Sequence, residues 1–139
     1  MPWEPGTTSA RSVPRLALVI DVSGSIDAAL LARFSTEVAA ITRRQASETV
    51  LVIGDNTVQR VAHCAPGEVD LGRLELAGGG GTDFTPLLEE ADRHRPDVIV
   101  VLTDLEGPAR YTPRASVLWA VPETGRTMAA PFGQLLLLR

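Results

Sequence analysis

The sequence contains no lysine; its thirteen basic side chains are all arginine. Schiff-base chemistry and any phosphate loop completed by a lysine are therefore excluded. A single cysteine, Cys64, rules out an internal disulfide and any multi-cysteine zinc site, and makes a reducing compartment the simpler expectation. Cys64 reads as a small buried or half-buried hydrophobe. The two histidines, His63 and His94, share no ligand spacing with each other or with Cys64, and no His-Glu-x-x-His segment occurs. No apolar run approaches the ~20 residues that span a bilayer, and the N-terminus lacks the basic-then-apolar layout of a signal peptide. The expectation is a cytoplasmic protein with no membrane partner. With a net charge of -4 and scattered arginines there is no basic stripe to follow a phosphate backbone, which sets nucleic acid aside.

What is present suits one compact domain. The chain has 139 residues, 45% hydrophobic and 22% charged, enough for a real core and far from a disordered composition. Residues 1–14 carry Pro2, Pro5, Gly6 and Pro14 with neither period and read as a leader or linker remnant, although Trp3 could dock on the body. Residues 15–139 form the domain. Its organising stretch is Leu16-Ala17-Leu18-Val19-Ile20-Asp21-Val22-Ser23-Gly24-Ser25, a buried-strand pattern closed by a carboxylate and two hydroxyls. Leu30, Phe34, Val38 and Ile41 then recur at helical spacing, with Asp27 placed for the positive end of the helix.

Thr49 to Ile53 is a second apolar strand, ended by Gly54-Asp55-Asn56, and Thr57 to His63 fits an antiparallel edge strand. Pro66 to Leu76 can be a helical turn or an extended segment. Gly78 to Gly81 lead through Thr82 and Asp83 into a helix expected from Pro86 to about Arg93, stopped by Pro96. Asp97 to Asp104 repeats the opening theme, an apolar strand ended by a carboxylate. Ser116 to Val121 and Gln134 to Leu138 complete the strands, and Leu135 to Leu138 are expected to be buried on both faces. Exposure there would point to a partner. The alternation predicts an α/β fold: a doubly wound, mostly parallel twisted sheet of five or six strands with helices on both faces and one antiparallel edge strand.

In such sheets ligands bind beyond the carboxyl ends of the strands. Asp21, Ser23, Ser25, Thr82 and Asp104 can converge on that rim as hard oxygen donors, a set suited to magnesium or manganese. Three of the five are neutral hydroxyls, which leaves a cation electrophilic. The hydroxyls are expected to bind directly, the aspartates through water or by fixing the hydroxyl rotors. Asp83 is either an extra ligand or a carboxylate favoured by the helix dipole. Taken alone, Ser23 and Ser25 read as capping residues.

These residues resemble the metal-ion-dependent adhesion site of von Willebrand factor type A domains. The Asp-x-Ser-x-Ser motif stands at Asp21, Ser23 and Ser25, the threonine at Thr82 and the later aspartate at Asp104. The resemblance runs from about Arg15 to the C-terminus and implies a Rossmann-like fold of the same kind (VWA-like). Gly78 to Phe84, Thr103-Asp104-x-x-Gly107, Val117-Leu118-Trp119 and Ala130-Pro131-Phe132-Gly133 further resemble a bacterial subgroup found at the C-terminus of predicted metallopeptidase-like proteins. Members of the wider group are linked to MoxR-type AAA+ ATPases, which implies an adaptor role.

Three functions follow as expectations. The first is a non-enzymatic module that holds magnesium or manganese and captures an acidic side chain of a protein partner. The second is a magnesium-dependent phosphohydrolase with Asp21 as nucleophile, weakened because Ser23 stands where a second aspartate is expected. The third is a structural domain whose rim binds no metal.

Overall fold

The computed structural model describes residues 14–22, 28–69, 71, 83–103, 109–122 and 130–138. The expected leader, the Gly78–Gly81 run and four of the proposed ligands, Ser23, Ser25, Thr82 and Asp104, lie outside them. The elements in chain order are β1 (Leu16–Asp21), α1 (Ala28–Gln45), β2 (Thr49–Gly54), β3 (Val58–Cys64), α2 (Phe84–Arg93), β4 (Val98–Leu102), β5 (Ser116–Pro122) and β6 (Gln134–Leu138). They form one six-stranded sheet in the order β3-β2-β1-β4-β5-β6. Only the β2–β3 pairing is antiparallel. The predicted α/β architecture is the observed one.

The central position of β1 explains its sequence. With β2 on one side and β4 on the other, and a helix against each face, Ala17 to Ile20 are fully buried. Side-chain alternation divides the core in two. Ala17 and Val19 pack with Phe84, Leu87, Leu88 and Ala91 of α2, while Leu18 and Ile20 pack with Leu31, Phe34 and Val38 of α1. On the α2 side Trp119 is fully buried, edge-on to Phe84 at 5.2 Å and to Phe132 at 5.6 Å, and its indole N–H donates to the Phe132 carbonyl at 2.7 Å.

Three expectations need correction. Ile41 is 41% exposed, because the last inward position of α1 belongs to Thr42, which is fully buried. The Thr42 hydroxyl donates to the Ala39 carbonyl and accepts from the Gly67 N–H, anchoring the turn after β3. The second helix starts at Phe84 rather than Pro86, because the Asp83 side chain accepts from the Thr85 N–H and caps it two residues earlier. Pro86 is then the third helical residue, where its missing N–H costs nothing. The third correction concerns β6. It is the outermost strand, and Leu135, Leu136 and Leu137 are 38%, 45% and 50% exposed, not buried on both faces.

Of the segment from Pro66 to Leu76 left open between helix and extended forms, the described residues form a turn at Pro66–Gly67 and include buried Val69 and Leu71; residues 70 and 72–76 lie outside them. Ser35 of α1 holds it from within the core. Its hydroxyl donates to the Val69 carbonyl at 3.2 Å and accepts from the Leu71 N–H at 2.9 Å. Among the described residues no helix is long and apolar enough to cross a membrane.

Candidate functional site

The chain leaves β1 through α1 toward β2 on one side, and later enters β4 on the other, so strand order reverses between β1 and β4. This is the switch point at which open α/β sheets bind ligands. Asp21 ends β1 there and has no exposed surface. The register pairs each β1 residue with the β4 residue 82 positions later, from Leu16 with Val98 to Ile20 with Leu102. One step further, Asp21 meets Thr103, and the Thr103 hydroxyl donates to its carboxylate at 2.7 Å. Thr103 is also fully buried, and both residues have interactions besides this bond. Burying a carboxylate is costly unless donors or a cation compensate, so the local sequence must supply them.

The helices direct their N-termini to the same rim. Leu87, in the first half of α2, sits against Gly54 at the carboxyl end of β2, so closely that an added Cβ there would lie 2.6 Å from it. At the other end of α2, His94 stacks edge-on to His63, which pairs with Val50 at the start of β2. The N-terminus of α2, with Asp83 as its cap, thus lies at the carboxyl ends of the strands with Asp21. The Thr85 N–H, more than any other group, holds the Asp83 carboxyl below its ordinary value; the Thr85 hydroxyl acts in the same direction, burial opposes them, and the Arg110 guanidinium, 3.8 Å away, adds the smallest lowering effect. The Arg110 N–H donates to the Thr85 hydroxyl at 2.9 Å. That bond ties the chain returning from β4 to the first turn of α2.

Each expected ligand outside the described residues adjoins one of these anchors. Ser23 and Ser25 follow Asp21 by two and four positions, Thr82 precedes Asp83, and Asp104 follows Thr103. Among the described residues no group of three or more His, Cys, Asp or Glu side chains is placed to hold a metal. What the described part contributes is hard oxygen: Asp21 and, on the same rim, Asp83 in its capping bond. A donor set of this chemistry fits magnesium or manganese and not zinc or copper.

Sequence reasoning did not single out Thr103 as a partner of Asp21 or Ser35 as a core tether. The signal for Thr103 is the parallel register, which a strand pairing alone reveals. His63 and His94, apart in sequence, meet at 5.3 Å at the opposite end of the sheet, with His94 Nε2 2.9 Å from Glu90 Oε2. Cys64 is half-buried as expected, and its thiol is pushed up chiefly by burial, assisted by Glu68 and opposed by Arg60.

Comparison with known proteins agrees with this architecture. An uncharacterised protein of Thermotoga maritima is 36% identical over 93 residues, which cover 66% of this chain and 23% of the relative. The chain thus corresponds to about a quarter of that relative's length. No solved structure gives a significant match. The family model described as VWA-like domain (DUF2201) matches residues 16–139, from the first residue of β1 through β6. Sheet order, switch-point carboxylate and family match coincide, and the chain belongs to the VWA-like domain family.

Proposed function

We propose that this domain is a non-enzymatic protein-binding module whose rim takes up magnesium or manganese in the manner of a metal-ion-dependent adhesion site. VWA-like domains generally mediate protein interactions. The finer reading rests on one observation: a fully buried carboxylate, Asp21, at the switch point, held by the Thr103 hydroxyl. Asp21, Ser23, Ser25, Thr82 and Asp104 would hold the cation, with Asp83 beside them at the helix cap. A bound divalent cation ringed largely by neutral hydroxyls keeps Lewis acidity for an incoming carboxylate, so an acidic side chain of a protein partner completes the shell. The protein's own task is to present the oxygens in one place. The sheet register fixes Asp21 against Thr103, and the Arg110 N–H holds to the Thr85 hydroxyl in the first turn of α2.

A carboxylate with no exposed surface suits the orientation of neighbouring hydroxyls, one of the roles expected of the aspartates. The resemblance nominates a MoxR-type AAA+ ATPase as the class of partner, with the domain as adaptor.

The test is thermal unfolding of the wild type, Asp21→Asn and Ser23→Ala/Ser25→Ala, titrated with magnesium and manganese against chelator. A cation at 100 times its Kd raises wild-type stability by about 2.7 kcal/mol. Both variants should lose that gain while remaining folded in chelator. Equal stabilisation of all three proteins would refute the assignment of these ligands, and magnesium-dependent phosphatase turnover that followed Asp21 would replace it with the hydrolase reading.

A further inference from the structure

At the end of the sheet opposite the rim, folding brings together the chain's two histidines. His63 is exposed on the edge strand β3 and lies on the α2 side, since it pairs with Val50 of that core. His94 is half-buried and caps the carboxyl end of α2. The ring centroids are 5.3 Å apart and the planes meet at 70°. Two imidazoles bound to one tetrahedral ion at ~2.0–2.1 Å hold their centroids ~5.2 Å apart, so the pair already has the spacing of a shared ion. Turning an imidazole about its Cβ–Cγ bond leaves its centroid nearly in place. Among the described residues the His63 ring makes no hydrogen bond that would oppose such a turn.

Neighbouring groups prepare His94 as a ligand. Its Nε2 lies 2.9 Å from Glu90 Oε2, one helical turn earlier, and Arg93 Nη1 donates to the other oxygen, Glu90 Oε1, at 3.0 Å. With Nε2–H donating to the carboxylate, the lone pair of the neutral imidazole stands on Nδ1; metal-bound histidines are commonly tied to a carboxylate in this way through their second nitrogen. Both rings line a cavity of about 330 Å³ beside Glu48, Thr49 and Cys64, which gives an ion access and leaves room for water.

We propose that His63 and His94 form a metal site of their own, suited to a borderline divalent ion such as zinc, with Glu90 as the residue that orients His94. Imidazole donors suit zinc, nickel and copper, whereas the oxygens proposed for the rim suit magnesium. The two ends of the sheet thus favour different ions. Only two side chains coordinate, in keeping with the lack of any group of three such residues placed for a metal among the described ones, so water fills the other positions and the ion exchanges readily. A bound ion joins β3 to the end of α2 and stabilises the folded chain by mass action. The reading is independent of the rim.

Zinc titration of the chelator-treated full chain in millimolar magnesium tests it, read by calorimetry and by the Cε1–H proton resonances of the two histidines. The wild type should take up one zinc, and both resonances should move together; magnesium alone should move neither. His63→Gln and His94→Asn should each weaken zinc binding by about tenfold or more, and Glu90→Gln by about tenfold. Asp21→Asn and Cys64→Ser should leave it unchanged, which separates this site from the rim and from the thiol. Circular dichroism in chelator should be the same for all five variants, and the wild-type resonances decide the matter for any variant that does not fold. A wild type that binds no zinc at millimolar concentration, zinc that moves only one histidine, or binding that survives both histidine variants overturns the proposal. A Glu90→Gln protein that binds zinc as the wild type does, with Tm lowered equally with and without zinc, reduces Glu90 to a structural partner and overturns its orienting role.

Discussion

The Thr103 hydroxyl donates a 2.7 Å hydrogen bond to the Asp21 carboxylate across the junction of β1 and β4, and both residues are fully buried. The bond continues the parallel register of the two strands by one position beyond Ile20 and Leu102. It ties the reversal point of the strand order to the carboxylate expected to organise the rim.

Thr103→Val keeps the shape of the side chain and removes the donor. The buried Asp21 carboxylate then loses one hydrogen bond, at an expected cost of about 1–3 kcal/mol in urea unfolding. Thr103→Ser should recover most of that loss. If the rim binds a cation, Thr103→Val should also weaken magnesium stabilisation, since Asp21 is no longer held in one orientation.

Asp83 gives the domain a specific acid sensitivity. Its folded-state carboxyl lies below its ordinary value, mainly because the charged form accepts the Thr85 N–H. Such a group stabilises the fold fully above its unfolded pKa, and the contribution disappears as pH falls through the lower folded value. Asp83→Ala should cost about 1 kcal/mol at neutral pH, with the difference from wild type shrinking in acid. Asp83→Asn should retain most of the cap and remove that pH dependence, as urea unfolding at several pH values will show.

Gly133 leads into β6 with φ +70°, and a Cβ on it would stand 2.4 Å from the Val117 carbonyl oxygen. Both the conformation and the space select glycine. Gly133→Ala should therefore destabilise by more than the ~1 kcal/mol of an ordinary loop change. It should also disturb the neighbouring Phe132 carbonyl that accepts from Trp119, which a shift of the indole fluorescence would report.

Cys64 should be a slow nucleophile. Its half-buried thiol is raised above the ordinary value by burial and by Glu68, so little thiolate exists at neutral pH. Alkylation by iodoacetamide at pH 7.5 should run several-fold slower than for a small-molecule thiol and should accelerate on unfolding in urea.

Local sequence carried much of the fold. Consecutive apolar residues from Leu16 to Ile20 and from Val98 to Leu102 read as interior strands whose carboxylate endings mark one rim; Ala17 to Ile20 are fully buried, whereas Val98 and Val100 are half-buried. The loose alternation of Thr57 to His63 after the tight Asp55-Asn56 turn marked β3 as an antiparallel edge. The same reasoning misjudged Leu135 to Leu137, because an apolar run reports what a strand requires and not what stands beside it. Strand order alone places β6 outermost. It likewise misjudged Ile41, since a helical stripe is wide enough for either Ile41 or Thr42 to face inward, and the Thr42 bond to Gly67 decides between them.

By itself, the sequence determined that this is a doubly wound α/β domain with Asp21 at a strand end, and that the chain has no lysine and a single cysteine. These are consequences of composition and short-range period. The tertiary structure decided the partners: Thr103 for Asp21, Thr85 for Asp83, Ser35 for the chain at Val69 and Leu71, and the outermost place in the sheet for β6. Three of those four depend on pairing or packing between segments distant in the chain, where register and strand order have no local signature.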